Sequence, residues 1–202
     1  MNIQQLFDVY WLEVFGVLCC LLYIYLEIKQ RVSLWIVGFI SSAITAIVFF
    51  QRGLYAFSAL YVYYVAASIY GMYYWSFSKK TDNEPKKELP ISRLNMKQAI
   101  VLTVISAALV ATIGYVLANY TNSATPPYLE ALASSLSIVA TWMLARKILE
   151  QWLVWIFVNL FSAVLNFWCG IYLYSALFVV YGVMSVVGWF NWKNTNLKPQ
   201  MK

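Results

Sequence analysis

Seven apolar runs, each close to the length that crosses a bilayer, limit what this chain can become. They lie near residues 12–28, 34–50, 54–75, 98–118, 128–145, 152–168 and 171–191. A hydrocarbon core about 30 Å thick takes roughly 20 helical residues. Inside it every backbone N–H and C=O must be satisfied within the protein, which a helix does alone. Of 202 residues, 62% are hydrophobic and 11% charged, where a soluble domain carries about 25% charge. The fold class expected is therefore an all-α polytopic membrane protein with seven transmembrane helices. The opening MNIQQLFDVYW has no basic n-region, so the first run is expected to be a retained helix rather than a removable signal.

The polar segments set orientation. With the N-terminus outside, the inner segments hold Lys29, Arg31, Lys79, Lys80, Lys86, Lys87, Arg93, Lys97, Arg146, Lys147, Lys193, Lys198 and Lys202, and the outer side holds Arg52 alone. That asymmetry predicts a cytoplasmic C-terminus, and it accounts for the net charge of +6 without nucleic acid. The stretch from Ser78 to Lys97, with Pro85 and Pro90, reads as a polar cytoplasmic linker.

The two ends of the chain repeat one another without gaps. At one constant offset Trp35 falls on Trp152, Gly53 on Gly170, Tyr55 on Tyr172, Ser58 on Ser175, Tyr64 on Tyr181, Ser68 on Ser185, Gly71 on Gly188 and Trp75 on Trp192. Shared Leu or Val would mean little in apolar helices, but coincident Gly, Ser, Tyr and Trp mark an internal repeat. A three-helix unit that starts outside ends inside, so one extra helix must precede a second parallel copy. The expected organisation is three plus one plus three: a first three-helix repeat at 12–77, the linker at 78–97, a connecting helix at 98–118 and a second repeat at 128–192. Parallel repeats of this kind occur among transporters that hold substrate near the membrane midplane.

The sixth run concentrates polar chemistry. Trp152, Trp155, Asn159, Ser162 and Asn166 fall within one arc of a helix at about 100° per residue, and amides in a membrane span belong against protein or a water-filled cavity. They are the first substrate-binding candidates. The matching positions in the second run are Trp35, Ser42, Thr45 and Phe49, with less polarity. In the third run Tyr61, Tyr64 and Ser68 share a face, matched by Phe178, Tyr181 and Ser185. Such rings suit a desolvated cation, which gains about 2 kcal/mol on an aromatic face. Glu13 and Glu130 open the first and fifth runs, placed to draw a cation inward or to complement a helix dipole.

Other chemistries lack their residues. With no His and only Cys19, Cys20 and Cys169, neither a zinc site nor a disulfide framework is expected. No charged residue lies at mid-depth for a proton relay, no phosphate loop is present, and no cofactor is implied. The chain is not expected to be an enzyme. A seven-helix receptor or scaffold signalling through its basic inner loop is the alternative of another class.

The repeat, the W-x-x-W-x-x-x-N pattern of Trp152, Trp155 and Asn159, and the G-x-Y-x-x-S-A-L segment from Gly170 to Leu177 resemble the PnuC family of bacterial vitamin transporters. The resemblance implies a fold similar to SWEET sugar transporters and facilitated diffusion of nicotinamide riboside across the inner membrane. It also implies trapping of the substrate by a separate cytoplasmic kinase. Similar members carry thiamine, which also presents a flat cationic ring and a hydroxyl. The expected partners are thus a small cationic vitamin and the lipid bilayer, with a homo-oligomer left open.

Overall fold

In the computed structural model the described residues are 19, 21–51, 55–76, 89–121 and 125–197, so Glu13, residues 77–88 and the start of the first run lie outside them. Everything regular among them is helical. A segment at 21–28 (α1) is followed by α2 (Ser33–Gln51), α3 (Tyr55–Ser76), α4 (Met96–Tyr120), α5 (Pro127–Ala145), α6 (Gln151–Trp168) and α7 (Tyr172–Leu197). Over the described residues, the helix positions expected from the second to seventh apolar runs agree to within a few residues. The exception is the end of α7, where the helix continues through Asn194 and Thr195 because no breaker precedes Pro199.

Four of these helices are long and apolar enough to cross a membrane: α4, α5, α6 and, from Tyr174 to Thr195, α7. Each shows a lipid-type exterior. On α6 the side chains of Leu153, Phe157, Leu160 and Val164 are exposed, while Trp152, Val158, Asn159, Ser162 and Leu165 are buried. Apolar surface on this scale would aggregate in water and is at home in a bilayer.

Local chemistry sets the helix ends. Asn95 caps α4 in a reciprocal box, its side chain accepting from the Gln98 N–H while the Gln98 side chain accepts from the Asn95 N–H. Pro127 opens α5 at a position that needs no N–H. Gln30 and Lys147 both take left-handed backbone angles, φ 54° and 50°. Each closes the same paired motif: Gln30 N–H to Glu27 carbonyl and Arg31 N–H to Leu26 carbonyl, then Lys147 N–H to Leu144 carbonyl and Ile148 N–H to Met143 carbonyl. The α1–α2 and α5–α6 turns are thus built alike.

Other contacts recur at the offset seen in the sequence. The Ser58 hydroxyl donates to the Ala46 carbonyl at 2.9 Å, and Ser175 to Ala163 at 2.8 Å. Ser68 donates to Tyr64 and Ser185 to Tyr181, both at 2.8 Å. A Cβ on Gly71 would lie 2.4 Å from the Trp35 ring, and one on Gly188 2.4 Å from the Trp152 ring. These glycines let α3 and α7 approach the tryptophans of α2 and α6.

The four tryptophans form the centre of the core. Trp35 meets Trp75 edge to face at 5.5 Å, Trp152 meets Trp192 at 5.6 Å, and Trp75 lies 6.4 Å from Trp192. The Trp75 indole donates across the bundle to the Ala145 carbonyl, and the Trp192 indole to the Glu27 carbonyl. Helix α4 stands apart, touching α5 where Gly114 admits the Tyr128 ring, with most of its surface outward.

The end of the polar stretch is packed rather than solvated. Ser92 exchanges two backbone hydrogen bonds with Lys147 and Leu149 in a single parallel bridge, and Leu89 and Ile91 rest on the tryptophan cluster. Glu150 accepts from the Leu94 N–H at 2.8 Å and lies 3.6 Å from the Arg93 guanidinium. Loss of that carboxylate frees a backbone donor, so Glu150→Ala is expected to speed trypsin cleavage after Arg93 several-fold, with stability lower by about 1 kcal/mol. Cleavage at the wild-type rate would remove the strap from the account.

Candidate functional site

The polar arc of α6 faces the bundle. Trp152, Asn159 and Ser162 are buried, and Trp155 and Asn166 are half-buried. The residues do not all play one part. Trp152 is fully enclosed under Gly188 against Trp192, and its counterpart Trp35 is enclosed in the same way under Gly71. Both rings act as packing elements that set the helix spacing. Asn166 donates to the Ser162 carbonyl one turn back at 2.7 Å. Thr45 likewise donates to Ser41 within its own helix, and the Phe49 side chain lies outside the described residues.

Asn159 reaches across instead. Its amide donates to the Ser185 hydroxyl of α7 at 3.2 Å, which leaves the amide oxygen as an acceptor. Ser185 is held by its own donation to Tyr181. The Trp155 indole N–H is buried without a hydrogen-bond partner, a state that folded proteins seldom leave uncompensated. In α2 the matching Ser42 is buried too, at 8% exposure.

Tyrosines of α3 line up against α5. The Tyr63 hydroxyl donates to the Ile138 carbonyl at 2.8 Å, and Tyr64 hydrogen-bonds the Ser137 side chain. Tyr61 and Tyr63 each meet Tyr64 edge to face, at 5.7 and 5.5 Å. Tyr181 meets Phe178 at 6.2 Å. Glu130, in the first turn of α5, accepts from the hydroxyl of Thr125, which precedes the helix.

One cluster is absent from the sequence reading. Glu27, 4% exposed, accepts from the Gln151 amide at 3.2 Å, and Lys147, 2% exposed, donates to Gln30 at 3.2 Å with its ammonium 4.5 Å from the Trp75 ring centre. These contacts tie the α1–α2 turn to the α5–α6 turn. Glu27 sits in the last turn of the first apolar run and Lys147 between the fifth and sixth, where charge near a run's end reads as topology. The signal that singles them out is Gln151, an amide at the head of the polar arc.

A multi-helix bundle with an apolar exterior and an inward arc of amides, hydroxyls and rings defines a membrane protein whose polar side chains face its interior. The chain matches the family model described as nicotinamide mononucleotide transporter over residues 10–194. It belongs to that family, which is one of membrane transporters and not of enzymes. It is 29% identical to the nicotinamide riboside transporter PnuC of Escherichia coli (strain K12), over 94% of this chain and 87% of the relative. It is 25% identical to the riboflavin/roseoflavin transporter RibM of Streptomyces davaonensis, over 93% of this chain and 87% of that one. A solved structure described as the vitamin B3 transporter PnuC superposes with a TM-score of 0.71 at 23% identity, covering 97% of this chain and 88% of the other. That likeness establishes the fold.

Proposed function

We propose that this chain carries nicotinamide riboside down its gradient, with substrate held between the α1–α3 and α5–α7 helices. The observation that most supports this is the identity to the E. coli nicotinamide riboside transporter over nearly the whole chain. The α6 arc adds chemical sense. Its amides, hydroxyls and rings suit the hydroxyls and flat cation of a nucleoside, and the arc itself carries no Lys or Arg to hold the phosphate of a nucleotide.

The recurring turn motifs, serine bonds and glycine–tryptophan contacts support two parallel three-helix units joined by α4. The excess of Lys and Arg in alternate segments supports an N-terminus outside and a C-terminus inside the cytoplasmic membrane. A cytoplasmic kinase that phosphorylates the entering nucleoside would keep the gradient inward.

Within the site Asn159 binds a substrate hydroxyl, assisted by Trp155, Ser162 and Ser42, while Tyr61, Tyr64 and Tyr181 line the approach. Asn159→Ala is expected to express normally and to weaken binding by about 1 to 2 kcal/mol, the scale of one buried polar contact. Unchanged affinity by calorimetry would remove Asn159 from the site. The RibM similarity favours a second reading, riboflavin, which offers a flat ring and a polyol without the cation. Thermal-shift measurements with nicotinamide riboside, thiamine and riboflavin separate the readings, because a ligand that binds only the native state raises its melting temperature. Nicotinamide riboside is expected to give the largest rise; a rise with riboflavin or thiamine alone would assign the substrate otherwise.

A further inference from the structure

We infer that the cleft between α3 and α4 binds an anionic phospholipid of the inner leaflet, with its phosphate held by Arg146 and Tyr70. The leaflet rests on the proposed orientation of the chain; the binding chemistry does not.

The cleft is a product of helix packing. Helices α3 and α4 each pack on α5 and make no comparable contact with one another. They stand as two walls on a floor formed by α5. Near the α5–α6 turn the cleft is bounded by the last turns of α3 and α5 and the start of α4, because the Trp75 indole reaches the Ala145 carbonyl and Glu150 holds the Leu94 N–H. Both walls carry exposed apolar surface here, with Ile69 on α3 and Ile100 on α4. Arg146 reaches α3, and Trp142, one turn earlier, packs with Leu102 of α4 on the cluster of Val139, Met143 and Ile148. The two side chains thus extend from one wall toward the other.

The Arg146 guanidinium lies 4.7 Å from the Tyr74 ring centre and 5.7 Å from that of Trp142, and it donates to the Tyr70 hydroxyl at 2.9 Å. Rings attract a cation without cancelling its charge, and among the described residues no carboxylate pairs with Arg146. The guanidinium is a planar fork of N–H donors of which Tyr70 takes one, and the Tyr70 hydroxyl keeps its own proton to donate. Donors from two side chains therefore sit together at a site of net positive charge. A phosphate diester supplies both the acceptors and the opposite charge, and it suits the guanidinium fork. The rings set this at headgroup depth, where Trp and Tyr collect, and basic clefts between helices on this side suit anionic lipid headgroups.

Topology alone does not ask for the construction. At the repeat offset Arg146 corresponds to Lys29, Trp142 to Tyr25, Tyr70 to Val187 and Tyr74 to Asn191. The first unit keeps the positive charge, but α7 has no counterpart to the two α3 rings. The neighbouring Lys147 turns the other way, donating to Gln30 with its ammonium over the Trp75 ring. Of two adjacent cations, one closes the bundle and the other faces the cleft.

Native mass spectrometry of the delipidated full chain in a neutral detergent, titrated with phosphatidylglycerol, tests the site. The wild type is expected to bind phosphatidylglycerol in preference to phosphatidylethanolamine, whose ammonium would oppose the guanidinium; equal binding of the two overturns the proposal. Arg146→Gln is expected to weaken phosphatidylglycerol binding about tenfold or more, as loss of charge-assisted hydrogen bonds does. Lys29→Gln removes the same charge from the same end and is expected to change binding by no more than about twofold. Equal losses in the two variants, or none in Arg146→Gln, would mean diffuse charge attraction and overturn the site. Displacement of the lipid by excess inorganic phosphate would assign the site to a soluble anion and overturn the lipid. A second measurement leaves Arg146 in place. Phosphatidylglycerol with brominated chains is expected to quench part of the tryptophan fluorescence, and Trp142→Phe to remove the saturable component; the same quenching in Trp142→Phe overturns the placement. Detergent removes sidedness, so these results are independent of the orientation and of the transported substrate.

Discussion

A Gly188→Ala substitution is expected to destabilise the protein by about 3 kcal/mol, near the upper end for an overpacked core. The added Cβ would lie 2.4 Å from Cη2 and within 2.6 Å of two further carbons of the Trp152 ring. That ring is fully buried, with Trp192 edge-on at 5.6 Å, so it has nowhere to turn. In lipid the solvent outside is as apolar as the side chains, so close packing carries helix association. A clash at the closest approach of α6 and α7 is therefore costly. Trp152→Phe removes the outer ring that the methyl would meet. The Gly188→Ala/Trp152→Phe pair is expected to recover more than half of the sum of the single losses, in a double-mutant cycle read by unfolding in detergent. Strict additivity would contradict the contact. Gly71→Ala is expected to behave alike, through Trp35.

The second large effect concerns Glu27. Glu27→Leu removes the acceptor of the Gln151 amide and leaves both polar atoms of a fully buried side chain unsatisfied, since Gln151 Oε1 has no partner to begin with. Leaving a buried polar group unsatisfied costs about 1 to 3 kcal/mol, while replacing both partners by apolar residues can be nearly neutral. Glu27→Leu is expected to lose about 3 kcal/mol, and Glu27→Leu/Gln151→Leu to return close to wild-type stability. Equal losses for the single and double variants would show that Glu27 acts through some other partner.

What the sequence displayed, it displayed through residue types with narrow uses. Gly71 and Gly188 stand out as a coincident pair in the repeat, and each has an indole ring packed on it. Ser58 and Ser175, with Ser68 and Ser185, stood out as repeated polar residues in apolar runs, and each hydrogen-bonds a carbonyl at the equivalent place. Apolar run length located the helices, since lipid leaves the backbone no alternative. Contacts between unlike residues were hidden. Gln30 and Lys147 share a left-handed turn position without sharing a residue type. Glu27 corresponds to Leu144, so its pairing with Gln151 breaks the repeat. The polar arc of α6 was legible as an arc, but its division of labour was not. Packing under Gly188 takes Trp152, the helix backbone takes Asn166, and Asn159 reaches across to Ser185 of α7.

Counterflow in proteoliposomes tests the central claim most directly. Vesicles loaded with unlabelled nicotinamide riboside, with no ion gradient, are expected to accumulate labelled nicotinamide riboside transiently, and empty-loaded vesicles are not. Absence of counterflow in vesicles of correctly folded protein, or accumulation only when a proton or sodium gradient is imposed, would contradict uncoupled transport of this nucleoside.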